Sequence, residues 1–123
     1  MTGPVDTVCP CGGAAYATCC GPLHSGARLP APPQTPEALM RSRYSAFVRG
    51  DVGYLVRTWH PRTRPAELTL DPDVVWTGLV VHEAGEDWVE FSAHHRDGVL
   101  RERSRFAVRA GRWLYLDGTH PPS

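Results

Sequence analysis

The sequence predicts an α+β domain in which an antiparallel sheet wraps onto helices, preceded by a short cysteine-rich knuckle. Three observations carry this reading. All four cysteines fall between Cys9 and Cys20, and none occurs elsewhere. Apolar residues then recur at helical spacing until Trp59, after which Pro61 stops the pattern. From Asp71 onward the apolar period drops to two, with turn residues between the runs. Helices followed by strands, rather than alternating with them, place the sheet on one side of the helices.

A chain of 123 residues fits one domain and can bury a sizeable core without a metal to fold it. A hydrophobic share of 41% suits a soluble protein. Thirteen basic residues, all arginine, balance thirteen acidic ones, so no net field draws the chain to nucleic acid or acidic membranes. Met1 to Val8 show no basic patch followed by an apolar run, and no stretch reaches the roughly 20 apolar residues that span a bilayer. The expected location is cytoplasmic, where clustered cysteines serve as metal ligands more often than as disulfides.

Residues 1–27 form the Cys/Gly/Pro-rich knuckle. Residues 28–36 form a stiff linker with Pro30, Pro32, Pro33 and Pro36, and residues 37–123 form the α+β domain. Thr35 is placed to cap a helix, with Pro36 at its first position and Glu37 in its first turn. Leu39, Met40, Tyr44, Phe47 and Val48 keep helical spacing, and Gly50 ends the helix. Asp51 caps a second helix predicted to run through Trp59, with Leu55, Val56 and Trp59 apolar. Strands are predicted over 74–82, 87–96, 99–109 and 112–117. Asp97-Gly98 is read as a two-residue hairpin turn and Ala110-Gly111 as the next reversal.

The knuckle, Cys9-Pro-Cys11 followed by Cys19-Cys20, offers four sulfurs on one short loop, which matches a closed, structural zinc site. His24 is an alternative fourth ligand to Cys20, since adjacent cysteines do not readily face one centre. Gly12, Gly13 and Gly21 permit tight turns beside sulfur, where backbone N–H groups can donate to thiolates. The competing reading is a redox pair or a disulfide. It is weakened by the absence of Cys-x-x-Cys and by the strain of a vicinal bridge.

Cys-Pro-Cys-Gly, a tyrosine and Cys-Cys together resemble the SEC-C zinc motif, which also occurs as a partner-binding tail on the bacterial export motor. Further along, Met40-Arg-Ser-Arg-Tyr-Ser-Ala-Phe-Val48, Thr58-Trp-His-Pro61, Glu102-Arg-Ser-Arg-Phe106 and Trp113-Leu-Tyr-Leu-Asp-Gly118 resemble the YchJ family of uncharacterised bacterial proteins. That resemblance implies a nuclear-transport-factor-2-like fold: a curved antiparallel sheet closed by helices into a cone with a central pocket. It implies the zinc site as well, and no particular activity.

Alternation on the third strand puts Leu100, Glu102, Ser104, Phe106 and Val108 on one face and Arg101, Arg103, Arg105 and Arg109 on the other. Glu102 thus falls on the apolar face, where a carboxylate needs a partner, and Arg41 or Arg43 is the expected one. On the fourth strand Trp113, Tyr115 and Asp117 share a face. The candidate pocket residues are Tyr44, His60, Trp76, His94, Glu102 and Trp113. Their chemical reading is acid/base work on a small molecule, and their structural reading is a buried Arg–Glu network among aromatics. His94 and His95 point to opposite sides of a strand and cannot share a metal. The arginine stripe reads as a solvated face, and acidic neighbours such as Glu83, Glu86 and Asp87 argue against nucleic acid.

The expected function is a non-enzymatic, zinc-stapled module that binds a protein partner through its knuckle. The alternative is a small-molecule or enzymatic pocket in the cone.

Overall fold

The structure is a computed structural model that describes residues 9–12, 20, 33 and 35–121. Helix α1 spans Pro36–Arg49. Its cap is the predicted one: Thr35 Oγ1 accepts from the Ala38 N–H at 3.1 Å, and Glu37 sits in the first turn. Gly50 closes the helix in the left-handed region, at φ 72°, a conformation that suits glycine.

Helix α2, Val52–Arg57, is capped by Asp51, whose carboxylate accepts from the Tyr54 N–H at 3.0 Å. It ends two residues short of the expected Trp59. The reason is tertiary. The Tyr115 N–H donates to the Thr58 carbonyl and the His60 N–H to the Tyr115 carbonyl, each at 2.8 Å. Residues 58–60 therefore pair with a strand instead of continuing the helix.

Four antiparallel strands follow in the order β1-β2-β3-β4: β1 Trp76–Ala84, β2 Trp88–His95, β3 Gly98–Arg109 and β4 Arg112–Thr119. The Ala110-Gly111 turn has φ of 53° and 76°, the paired positive angles of a tight hairpin. The other hairpin corrects the expectation by one residue. His95 pairs with Gly98, so Arg96 and Asp97 form the loop and Gly98 opens β3.

Three register shifts bend the sheet, between Trp76 and Gly78, Val81 and Glu83, and Arg105 and Phe106. The last overturns the expected face of Asp117. Arg105 pairs with Asp117, but the next residue, Phe106, pairs with Tyr115. Leu116 is the extra residue of a bulge, so Tyr115 and Asp117 point to opposite sides although they are two apart. Val108 also departs from its expected buried face; it is 57% exposed at the end of its strand.

The core lies where α1 crosses the inner face of the sheet. Leu39, Met40 and Tyr44 pack on Val89, Phe91, Ala93 and Phe106, with Trp76, Leu79 and Trp113 at the margin. A second cluster joins Ala46 of α1 to Tyr54 and Leu55 of α2. The sheet stays open, with β1 and β4 as its edges. Among the described residues no helix is long and apolar enough to cross a membrane.

Candidate functional site

Helix α1 carries two candidate sites on neighbouring stripes. Arg41 and Ser45, one helical turn apart, face the cysteines. Met40, Arg43, Tyr44 and Phe47 face a cavity.

The Sγ atoms of Cys9, Cys11 and Cys20 lie within 4.8 Å of one another, and each cysteine is at most 2% exposed. A tight turn brings the first two together: the Gly12 N–H donates to the Cys9 carbonyl at 3.0 Å, with Gly12 at φ 90°. The loop is tied to α1. Cys9 Sγ lies 3.3 Å from Ser45 Oγ, and Arg41 donates to the Cys11 carbonyl at 2.9 Å while pairing with Glu37. Leu79 of β1 packs against the cluster.

Hydrogen bonding to Cys11 and then burial hold the Cys20 thiol far above the usual thiol range. A thiol held in that state gives up its proton readily only when a cation sits among the sulfurs to balance the charge. Tetrahedral zinc–sulfur bonds of about 2.3 Å separate sulfurs by about 3.8 Å, so the cluster fits a thiolate-bound metal ion. Cys19 and His24 lie outside the described residues.

The cavity, about 260 Å³, sits between α1 and the inner face of the sheet. Its walls are aromatic and aliphatic: Tyr44, Phe47, Trp59, Trp76, Phe91, Leu100, Phe106 and Tyr115. Two charged residues line it. Arg43 is 5% exposed and donates through Nη1 to the Leu55 carbonyl at 2.9 Å and to Thr58 Oγ1 at 2.7 Å. Its guanidinium lies over the rings of Trp59, at 5.1 Å, and Tyr115, at 4.6 Å. Burial lowers its pKa to about 10, so it remains a cation at neutral pH.

Glu102 does not pair with either expected arginine. Ser104 Oγ donates to its Oε2 at 2.6 Å and the Tyr115 hydroxyl at 3.2 Å. Burial first, and then the Glu102 charge, raise the Tyr115 pKa and keep that hydroxyl protonated as a donor. The carboxylate lies across the bare Cα of Gly118, where an added Cβ would come within 2.2 Å of Oε2. Glycine makes room for the acid there.

Of the candidate pocket residues, Tyr44, Trp76 and Glu102 line the cavity together, and His60, His94 and Trp113 are not among its lining residues. His60 is half-buried beside β4, and its Nδ1 accepts from the Arg62 N–H. His94 is exposed on the outer face, and Trp113 packs at the edge of the core. Trp59 and Tyr115 were not singled out from the sequence. The sequence places Trp59 at a helix end and Tyr115 on the face of Trp113, and only the pairing of residues 58–60 with β4 brings the two rings together.

The outer face is a lattice of ion pairs. Glu90 takes Arg101 on Oε2 and Arg103 on Oε1, the latter at 2.9 Å, and Arg103 also lies over Trp88 at 4.2 Å. Arg105 pairs with Asp117 at 2.5 Å. These contacts lower the pKa of Glu90, through the Arg101 hydrogen bond first, and that of Asp117, through Arg105 first.

With this geometry established, similarity to known proteins is informative. The family model described as YchJ, middle NTF2-like domain, matches residues 35–118. A UPF0225 protein of Streptomyces coelicolor is 52% identical over 118 residues, covering 89% of this chain and 93% of the relative. One from Deinococcus radiodurans is 56% identical over 115 residues, covering 89% and 86%. The solution structure of a SEC-C motif containing protein from Rhodopseudomonas palustris superposes with a TM-score of 0.73 at 34% identity, covering 95% of this chain and 99% of that one. A SEC-C motif containing protein from Psychrobacter arcticus superposes with a TM-score of 0.69 at 27% identity, covering 97% and 85%. The chain belongs to the YchJ family.

Proposed function

We propose that this member of the YchJ family is a non-enzymatic, zinc-stapled module that docks on a protein partner through its knuckle. One observation carries the reading: three buried cysteine sulfurs converge within 4.8 Å on a loop already tied to α1. Soft sulfur ligands gathered this closely favour zinc. Such a closed site supplies folding free energy rather than an open catalytic position. Cys19 would supply the fourth ligand beside Cys9, Cys11 and Cys20, with His24 as the alternative to Cys20. The metal would join Cys20 to Cys9 and Cys11, which are already tied to Ser45 and Arg41, and give the knuckle one shape to present. The likeness to SEC-C motif proteins supports the same reading.

Elemental analysis of natively purified protein tests it, with Cys20→Ser and His24→Ala alongside. One zinc per chain, lost in Cys20→Ser and kept in His24→Ala, is the expected result. Pull-downs with and without chelator come next, and partners should fall away with the metal. Metal-free protein isolated fresh and reduced would overturn the staple, and partners that persist after zinc removal would overturn the docking role.

A second reading, a small-molecule site in the cavity, is favoured by the two charged side chains that line it without pairing with each other.

A further inference from the structure

We propose that the cavity under α1 binds a small zwitterion with an apolar body, of the kind an apolar α-amino acid presents, its carboxylate on Arg43 and its ammonium on Glu102. The proposal rests on the small-molecule reading of the cavity and goes beyond it by assigning the ligand's charges. It does not depend on the metal.

The cation comes first. Both hydrogen bonds of Arg43 leave from Nη1, toward Leu55 and Thr58. Among the described residues it has no ion pair, and its Nε and Nη2 hydrogens meet no acceptor. A buried guanidinium in that state is costly unless something else supplies the anion. Its planar edge matches a carboxylate. Trp59, whose ring lies beside the same guanidinium, adds a second unused donor, because its Nε1 is buried without a partner among the described residues. Two idle donors on one wall call for an acceptor group.

The anion answers it. Ser104 and Tyr115 both donate to Oε2 of Glu102, and Oε1 has no partner among the described residues. The two charges share one cavity and attract each other across it, yet they form no ion pair, and the hydrogen bonds that hold each are made with neutral groups. A ligand carrying one charge would leave the enclosure with a net charge, and a ligand carrying both would match it. The remaining walls, Phe47, Trp76, Phe91 and Leu100, suit an apolar side chain. At about 260 Å³ the space lies just below the roughly 300–1,000 Å³ of sites for drug-sized ligands, so the occupant is compact.

Three matched probes test the assignment by calorimetric titration into the full chain: L-phenylalanine, phenethylamine and 3-phenylpropanoate. L-Phenylalanine should bind about tenfold or more tighter than either single-charge analogue, the worth of one charge-assisted hydrogen bond. Glu102→Gln keeps an acceptor for Ser104 and Tyr115, so it should fold. It should weaken L-phenylalanine to the level of 3-phenylpropanoate while leaving 3-phenylpropanoate as tight or tighter. Trp59→Phe should weaken the two carboxylates and spare phenethylamine. If either single-charge probe binds as tightly as L-phenylalanine, the zwitterion assignment falls and the small-molecule reading stands. If neither these probes nor L-leucine, with its smaller body, binds at millimolar concentration, both fall.

Discussion

The two faces of the sheet solve the problem of charge in opposite ways. Outside, Arg101 and Arg103 fork onto Glu90, and Arg105 onto Asp117, each acid facing its base at strand spacing. Inside, Arg43 and Glu102 share one cavity without touching, the first held by a helix-end carbonyl and a hydroxyl, the second by two hydroxyls. Solvent makes outer pairs cheap to form and worth little singly. An apolar enclosure makes charge expensive unless it is held, and here hydrogen bonds with neutral groups and the rings beside Arg43 do the holding.

Four experiments break or sharpen this contrast. The largest effect belongs to the inner packing. Leu39 is fully buried, and Leu39→Ala should cost about 2–5 kcal/mol in urea unfolding. A loss below 1 kcal/mol, roughly a surface value, would mean that α1 is not seated on the sheet as described.

Next comes the support under the inner acid. In Gly118→Ala the new Cβ would sit 2.2 Å from Glu102 Oε2, so the carboxylate must leave Ser104 and Tyr115. The expected cost is about 1–3 kcal/mol, read from the same unfolding curve. Unchanged stability would show that the carboxylate moves freely and does not need Gly118.

Chelation should act locally. Removing the proposed metal should speed amide exchange around Arg41 to Ser45, where the knuckle is tied to α1, and leave the Val89 to Ala93 amides of β2 protected. Equal loosening of both would make the metal a support of the whole domain.

The smallest effect belongs outside. The Glu90 pKa is lowered on folding below its ordinary 4.5, so its contribution is present above that value and is lost as pH falls through the folded pKa. Glu90→Gln should therefore lower Tm slightly at neutral pH, by less than Gly118→Ala does, and the two melting curves should converge in acid. A difference that does not depend on pH would show that the Arg101 and Arg103 pairs contribute through shape rather than charge.

Much of the architecture was legible from local signals. Thr35, Pro36 and Glu37 mark where α1 begins and Gly50 where it ends, because caps act over a few residues. Ala110-Gly111 supplied one hairpin for the same reason. The other slipped by one position: the Asp97-Gly98 signal is real, but pairing of His95 with Gly98 set the loop. The cysteine cluster was legible from spacing. Half of the candidate pocket residues line the cavity. Of those that do not, His94 lies on the outer face that alternation gives it, Trp113 packs at the margin of the core, and His60 is drawn beside β4 by the pairing of Trp59 with Tyr115.

The sequence by itself determined the order of elements, the caps, the clustered thiols and the acid on the apolar face of β3, since each rests on neighbours a few residues away. Only the tertiary structure decided what that acid meets. The bulge at Leu116 turned Tyr115 inward toward Glu102 and Asp117 outward toward Arg105. Pairing with Tyr115 drew Trp59 out of its helix and against Arg43. Those choices depend on contacts between residues far apart in the chain, where hydrogen-bond satisfaction and packing outweigh any local pattern.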